Sequence, residues 1–310
     1  MTTPAIRTVG LGRDFGSVRA LHDVTLEIPR GIIFGFLGPN GSGKTTTIRL
    51  LLGLLDPTSG AAEVLGCDTR SDAAAIRQRS GALLEHCGLY ERLSAADNLE
   101  LYGRIWQLPH AARRDRAKEL LTQLGLWDRR DQVIATWSRG MKQQLAIARA
   151  LMHRPEIVFL DEPTAGLDPI AAHALRDYLT QLSTREGVTV FLTTHNLVEA
   201  ERICALVGVV RKGQLLAVAP PAHLSATNSI PRVEITGTGL TEGMVTMLGN
   251  RPGVVSVRTE GRCLSVDMHS TREVPSMLTA LVGAGFQLEA VRNGAGSLEE
   301  AFHSLVEAQP

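Results

Sequence analysis

The chain has no net charge: 32 lysines and arginines balance 32 aspartates and glutamates over 310 residues. That balance argues against a protein that coats nucleic acid, although it leaves room for a local basic patch. Long apolar runs are also missing. Stretches such as Ile203–Val210 fall far short of the roughly 20 residues that span a bilayer, so any work at a membrane needs spans from another chain. Met1–Arg7 has no signal-peptide core, which predicts a chain kept on the cytoplasmic side. Cys67, Cys87, Cys204 and Cys263 show no C-x-x-C spacing, so reduced, buried thiols are expected rather than a metal or redox pair. Lysine is scarce beside arginine, and Lys44 is one of the few. The length allows one large domain and one smaller one, each with a core of its own.

Against that background one segment stands out. Gly38, Pro39, Asn40, Gly41, Ser42, Gly43, Lys44 and Thr45 fit G-x-x-x-x-G-K-[ST], and Thr46 follows. An apolar strand, Ile32 to Leu37, runs into the motif, and a helical pattern through Ile48, Leu51, Leu52 and Leu55 runs out of it. That context makes the match a phosphate site. The glycines let consecutive backbone N–H groups curl round the β- and γ-phosphates, towards which the positive end of the helix also points. Lys44 supplies a charge between those phosphates, and the Thr45 hydroxyl is suited to ligate Mg²⁺.

Downstream features have the order an ATP-hydrolysing P-loop protein needs. Ile157-Val158-Phe159-Leu160 reads as a buried parallel strand ending in Asp161-Glu162, and ligands sit at that end of open α/β sheets. Asp161 is placed to hold Mg²⁺, and Glu162 to polarise the attacking water. A second strand, Val188 to Leu192, ends in Thr193-Thr194-His195 and brings a histidine beside those acids. Trp137-Ser138-Arg139-Gly140-Met141 precedes a helix through Ile147 and Leu151, with Ser138 as its N-cap. This is a second anion-binding helix end, and a second one for a single nucleotide suggests a site shared between two subunits.

From roughly Ile6 to Leu224 these residues resemble the ATP-binding subunits of ABC transporters. The glycine-rich loop, Asp161-Glu162, Ala165-Gly166-Leu167-Asp168 and His195 look like that family's Walker A, Walker B, D-loop and H-loop. Trp137 to Met141 looks like its signature motif, with Ser138 and Gly140 retained but Trp137, Arg139 and Met141 departing from the usual residues. The resemblance implies that Glu162, His195 and Lys44 act in hydrolysis, and that Ser138, Gly140 and Asp168 serve nucleotide held by a partner subunit. It further implies that Phe15 stacks on the adenine. Where the family usually carries a Gln contacting Mg²⁺ and the permease, this chain has Glu85. A carboxylate there favours Mg²⁺ but repels the γ-phosphate. The strand-to-Glu pattern, and Ser297-Leu298-Glu299-Glu300-Ala301-Phe302 near the C-terminus, resemble the daunorubicin-resistance type of exporter ATPases.

Between Glu85 and Ser138, Leu99, Tyr102, Ile105 and Trp106, then Leu120, Leu121 and Leu124, recur at helical spacing. This stretch, about 85–150, is similar to the helical subdomain that docks the permease, and Arg113, Arg114 and Arg116 read as a solvated helix face. Pro, Ser, Thr and Asn gather between Ala219 and Pro231, which predicts an ATP-binding domain over 1–224 and an accessory domain over 231–310. In the latter, the order β-α-β-β-α-β-α suggests a small ferredoxin-like α+β fold. Its Val274, Met277, Leu278, Leu281 and Val282 form one helical stripe. Leu298, Phe302 and Leu305 are expected to leave apolar surface exposed, and the acids of the last helix to cap it and face solvent.

The resulting expectation is an α/β P-loop NTPase of the ABC type that uses ATP and Mg²⁺. It would form a homodimer, or pair with a second ATPase subunit, and drive a separate integral-membrane permease, for export, from the cytoplasmic face. A soluble ABC protein acting on ribosomes or nucleic acid is the alternative. Such proteins usually carry two nucleotide domains or long coiled-coil insertions, and this chain has neither, so no nucleic acid is expected. No N-K-x-D guanine motif supports a GTPase.

Overall fold

Uninterrupted apolar runs build parallel strands buried on both faces, and alternating runs build the flanking antiparallel ones. In chain order, β1 (Ile6–Phe15) and β2 (Val18–Ile28) lead to β3 (Ile33–Leu37) and α1 (Lys44–Leu51). Next come β4 (Ser59–Val64), β5 (Cys67–Asp68), α2 (Ala73–Arg79) and β6 (Ser80–Leu83). Helices α3 (Ala95–Ile105), α4 (His110–Gln123) and α5 (Arg139–Leu151) follow, then β7 (Ile157–Asp161), α6 (Pro169–Glu186) and β8 (Thr189–Thr194). After α7 (Leu197–Ile203), β9 (Leu206–Arg211) and β10 (Gln214–Ala219) come α8 (Pro221–Asn228), β11 (Arg232–Thr238) and α9 (Glu242–Gly249). The chain closes with β12 (Val254–Glu260), β13 (Cys263–Met268), α10 (Val274–Gly283), β14 (Gln287–Gly294) and α11 (Leu298–Glu307). The structure, a computed structural model, describes residues 3–228, 231–294 and 297–307. Two compact units divide between Pro220 and Pro221. Pro221–Asn228, read from sequence as linker, is therefore helical and belongs to the second unit; Ser229 and Ile230 lie outside the described residues.

In the first unit a six-stranded sheet has the order β10-β9-β3-β8-β7-β6. Strand β3 pairs in parallel with β8 and β9, and β7 with β6 and β8, so only β10 runs against its neighbour. Every residue of β3, β7 and β8 is buried, as their apolar runs require. Phe34, Phe36, Phe159 and Phe191 form one aromatic cluster with centroids 5.3 to 6.3 Å apart, each such pair adding about 0.5–1.5 kcal/mol beyond burial. A second sheet, β2-β1-β4-β5, is antiparallel and shares this core. The register is what positions the chemistry. Leu37 pairs with Thr194 and Asp161 with Thr193, so the C-terminal ends of β3, β8 and β7 stand side by side.

The helical stretch forms α3, α4 and the start of α5, with Leu99, Leu120 and Leu121 fully buried. The arginine cluster is not the solvated face expected of it. Arg116 is 3% exposed and donates to the Leu151 carbonyl and to Glu119, while Arg113 pairs with Glu100. Only Arg114 of the three is fully exposed. The four thiols are free, but Cys204 alone among them is buried.

The second unit has the sheet order β12-β13-β11-β14, antiparallel throughout, which is the order of a split β-α-β ferredoxin-like fold. Met244, Leu248, Met277 and Leu281 of α9 and α10 pack on Val233, Ile235, Leu264 and Val266. Leu298 and Ala301 are completely buried and α11 packs against α8, so less apolar surface is exposed here than the sequence predicts. Ser297 does cap α11, through the Glu300 N–H, but Glu300 faces Arg232 at 2.6 Å rather than solvent alone. Arg232 also holds Asp267 at 2.7 Å, and that guanidinium together with Ser256 and Arg258 keeps the Asp267 carboxyl below its usual range despite burial.

Candidate nucleotide site

The phosphate loop closes between β3 and α1 for reasons readable atom by atom. A Cβ on Gly38 would lie 2.3 Å from the Val210 carbonyl oxygen, so only glycine fits beside β9. Gly43 has φ of 101°, a left-handed backbone that lets the loop turn directly into α1. Lys44 is buried, and its Nζ donates to the carbonyls of Gly38 at 2.7 Å and Pro39 at 3.2 Å. The ammonium is thereby folded back over the loop, at the point where phosphates would meet the backbone N–H groups.

Across the cavity, Asp161 ends β7. Its Oδ2 accepts from Thr45 Oγ1 at 2.6 Å, and its Oδ1 accepts from Thr193 Oγ1. Glu162 follows with φ of 49°, an uncommon conformation for a non-glycine residue. Its N–H is held by the Thr193 hydroxyl at 3.0 Å and the Thr193 carbonyl at 3.2 Å. Its carboxylate is held at both oxygens: Oε1 lies 3.6 Å from Lys44 Nζ, and Oε2 lies 2.9 Å from His195 Nδ1. The Lys44 contact is an ion pair too long to be a hydrogen bond, so Oε1 keeps an unused acceptor.

These residues line a cavity of about 600 Å³, inside the range of ligand pockets. Asn40, Gly41, Gly43, Lys44, Thr45 and Thr46 form one wall, and Asp161, Glu162, Ala165, Gln143 and Arg139 another. Glu85 also lines it, but its carboxylate pairs with Arg49 at 3.1 Å and makes no bond to Thr45 or Asp161. Phe15 is 44% exposed and carries Arg13 over one ring face at 4.7 Å.

Ser138, Gly140 and Asp168 are not brought to this cavity. Ser138 is exposed and caps α5 by accepting from the Met141 N–H at 3.2 Å. Asp168, also exposed, caps α6 through the N–H groups of Ile170 and Ala171. Within one chain the loop, both acids and His195 form a cluster; of the signature segment only Arg139 lines the cavity, while Ser138 and Gly140 do not.

Sequence reasoning missed three participants. Thr193 ties both acids together, and its only trace in the sequence is a threonine pair at the end of an apolar strand. Gln143 Nε2 reaches the Glu162 and Pro163 carbonyls at 3.4 Å. Glu199, at 1% exposure, accepts from Thr164 Oγ1 at 2.7 Å, and burial raises its proton affinity.

A phosphate loop at the end of a central parallel strand, with two acids one β8-width away, defines a P-loop NTPase. Residues 21–165 match the model of the ABC transporter family. The chain is 33% identical to the daunorubicin/doxorubicin resistance ATP-binding protein DrrA of Streptomyces peucetius, over 98% of this chain and 92% of that one. It is 36% identical to the daunorubicin resistance ATP-binding protein DrrA3 of Streptomyces coeruleorubidus, over 98% and 96%. Among solved structures it resembles the ATP-binding cassette MJ0796, a dimer in a post-hydrolysis state bound to ADP and Pi. That match has a TM-score of 0.64 and 26% identity, and covers 69% of this chain and 98% of the other. The chain belongs to the family of ABC transporter ATP-binding subunits, and it is an ATP-hydrolysing subunit of such a transporter. Among the described residues no helix is long and apolar enough to cross a membrane.

Proposed function

We propose that two copies of this chain, or one copy and a second ATPase subunit, close on two ATP molecules and drive a permease on a separate chain to export cytotoxic small molecules. The names of the daunorubicin-resistance relatives support that cargo class. The observation that carries the reading is the split in the site. Lys44, Thr45, Asp161, Glu162 and His195 converge, while Ser138 and Gly140, at the N-terminus of α5, do not line the cavity although Arg139 between them does. An anion-binding helix end with no phosphate of its own fits the nucleotide of a partner subunit.

In this reading the loop N–H groups and Lys44 hold the β- and γ-phosphates. Thr45 and Asp161 offer hard oxygen donors 2.6 Å apart, a set suited to Mg²⁺. Among the described residues no cluster of three His, Cys or carboxylate groups could hold a metal. An ion that takes most of its ligands from phosphates and water is thus the better fit. Bound there, Mg²⁺ would offset charge on the phosphates. Glu162 accepts the proton of the attacking water, and His195, bonded to the same carboxylate, orients it. The apolar groove of Leu52, Leu54, Leu84, Tyr102 and Trp106 beside the helical subdomain is the surface offered to the permease.

Co-expression with a six-span membrane protein tests this reading. We expect the chain to be recovered with membranes only when the permease is present, and ATP-dependent uptake of an anthracycline into inverted vesicles to require Glu162. Recovery with ribosomes instead would refute it.

A further inference from the structure

Glu199 is a carboxylate buried to 1% exposure without an ion pair among the described residues, at a place where an apolar side chain would pack more cheaply. Its surroundings are hydroxyls. Oε2 accepts from Thr164 Oγ1 at 2.7 Å and from Thr194 Oγ1 at 3.5 Å, and Oε1 has no partner. Thr164 lies two residues after Glu162, and Thr194 lies one residue before His195. The Thr194 hydroxyl accepts from the Asn196 N–H at 2.9 Å, which leaves its proton free to donate to Glu199. Asn196 in turn caps α7 by accepting from the Glu199 N–H at 3.1 Å, so the acid's own backbone is fixed to the turn that carries His195. Through its Oε2 bond to Thr164 and its backbone bond to Asn196, with the Thr194 hydroxyl at the outer limit of hydrogen-bond reach, Glu199 thus links the loop after β7 to the turn after β8.

We propose that Glu199 is a positioning residue of the hydrolytic site: through Thr164 and Thr194 it holds the segments carrying Glu162 and His195 at the separation their 2.9 Å contact requires. This rests on the roles given above to Glu162 and His195. The loop it grips continues through Gly166 and Leu167 to Asp168, so the same carboxylate fixes the start of the segment expected to face a partner subunit. Burial raises the proton affinity of Glu199, with the Glu162 carboxylate adding to the rise and the Thr164 hydroxyl, the Arg176 charge and the Thr194 hydroxyl opposing it. The hydroxyls therefore matter to keeping it as an acceptor. A misplacement of about 1 Å in a reacting pair costs on the order of 10²-fold in rate, which sets the size of the expected effect.

The test is steady-state ATPase activity of the full chain, with ATP affinity measured separately, for Glu199→Leu, Glu199→Gln, Thr164→Val and Thr164→Ser. We expect Glu199→Leu and Thr164→Val to lower kcat by about 10- to 100-fold with KM for ATP within about twofold. Glu199→Gln and Thr164→Ser keep the bridging atoms and restore turnover to within a few-fold of the wild type. In a His195→Ala background, Glu199→Leu should lower kcat by less than about twofold further, because both act on one contact. Should Glu199→Leu fail to fold, Thr164→Val removes the same bond at a half-buried site and carries the test. Equal losses for Gln and Leu, an effect confined to ATP affinity, or full additivity with His195→Ala would each overturn the proposal. If Glu162→Gln and His195→Ala turn over normally, the site reading itself fails and this inference falls with it. If those two lose turnover while Glu199→Leu and Thr164→Val do not, only the inference fails.

Discussion

Lys44 and Glu162 face each other across the phosphate cavity, with Nζ 3.6 Å from Oε1, while the other carboxylate oxygen of Glu162 is bonded to His195. The acid is thus held between a phosphate-binding cation and an imidazole. Phosphate arriving at Lys44 competes for that cation, so nucleotide binding and the freedom of the Glu162 carboxylate are linked by geometry.

Glu162→Gln keeps the shape of the side chain but removes the proposed base. It should leave ATP binding intact and cut turnover by about 10²–10⁴-fold. In the proposed sandwich, which opens only after hydrolysis, the variant should accumulate as an ATP-dependent dimer. Phosphate-release assays and gel filtration with ATP check both parts.

Sharing of the site can be tested by mixing. Lys44→Ala damages the loop that holds ATP, and Ser138→Arg damages the helix end offered to the partner. A heterodimer of the two has one doubly damaged site and one intact site. ATPase activity should recover partly on mixing, up to the fraction of mixed dimers. No recovery in a sample shown to contain heterodimers would place Ser138 outside the shared site.

The second unit has its own core around Val233, Ile235, Leu264 and Val266. Ending the chain after Pro220, where the two units divide, should leave ATP affinity within a few-fold. Recovery with permease-bearing membranes, or dimer formation, should weaken. Fluorescent-nucleotide titration and membrane co-sedimentation of the truncated chain measure the two effects separately.

Stability should depend on pH through His153. The ring stacks on Trp106 with centroids 3.8 Å apart, its Nε2 lies 3.1 Å from the Ser80 carbonyl, and burial pushes its pKa down from 6.5 to about 4, with Arg116 adding to the shift. Between those two values the unfolded chain carries a proton that the folded chain does not. The His153 contribution to stability is therefore complete above about pH 6.5 and is lost as pH falls towards about 4. His153→Gln should flatten the melting temperature against pH over that window, as read by circular dichroism.

How much was legible beforehand follows from how local each feature is. The phosphate loop is a run of consecutive residues whose glycines are demanded by their own backbone, so it could be read without a fold. Asp161 and Glu162 end an apolar strand and are nearly as local. Thr193 became visible only once β8 lay between β3 and β7, because its role is set by strand register. Glu199 has the same history. In sequence it is one acid of a short helix, and only the fold buries it against Thr164. Arg116 misled for another reason: it lies four residues before Leu120, on the face that packs, but its charge reads as solvated, and the buried carbonyl it satisfies comes from Leu151, 35 residues away. Glu85, which the family resemblance puts near the metal, lines the same cavity as Thr45 and Asp161, and the Arg49 that holds its carboxylate comes from α1, a contact that no local pattern shows.

The backbone at Glu162 has consequences for engineering. A left-handed conformation at a residue other than glycine or asparagine costs on the order of 1 kcal/mol, and here the Thr193 bonds hold it in place. Asparagine tolerates that conformation better but gives up the contacts to Lys44 and His195, so Glu162→Asn should lose turnover, and each kcal/mol of strain relieved beyond the loss of those contacts should raise the melting temperature by about 2–4 °C. Random screens for heat resistance that ignore activity would then be drawn to this position. The position proposed for the hydrolytic base is thus also one whose backbone can be relaxed.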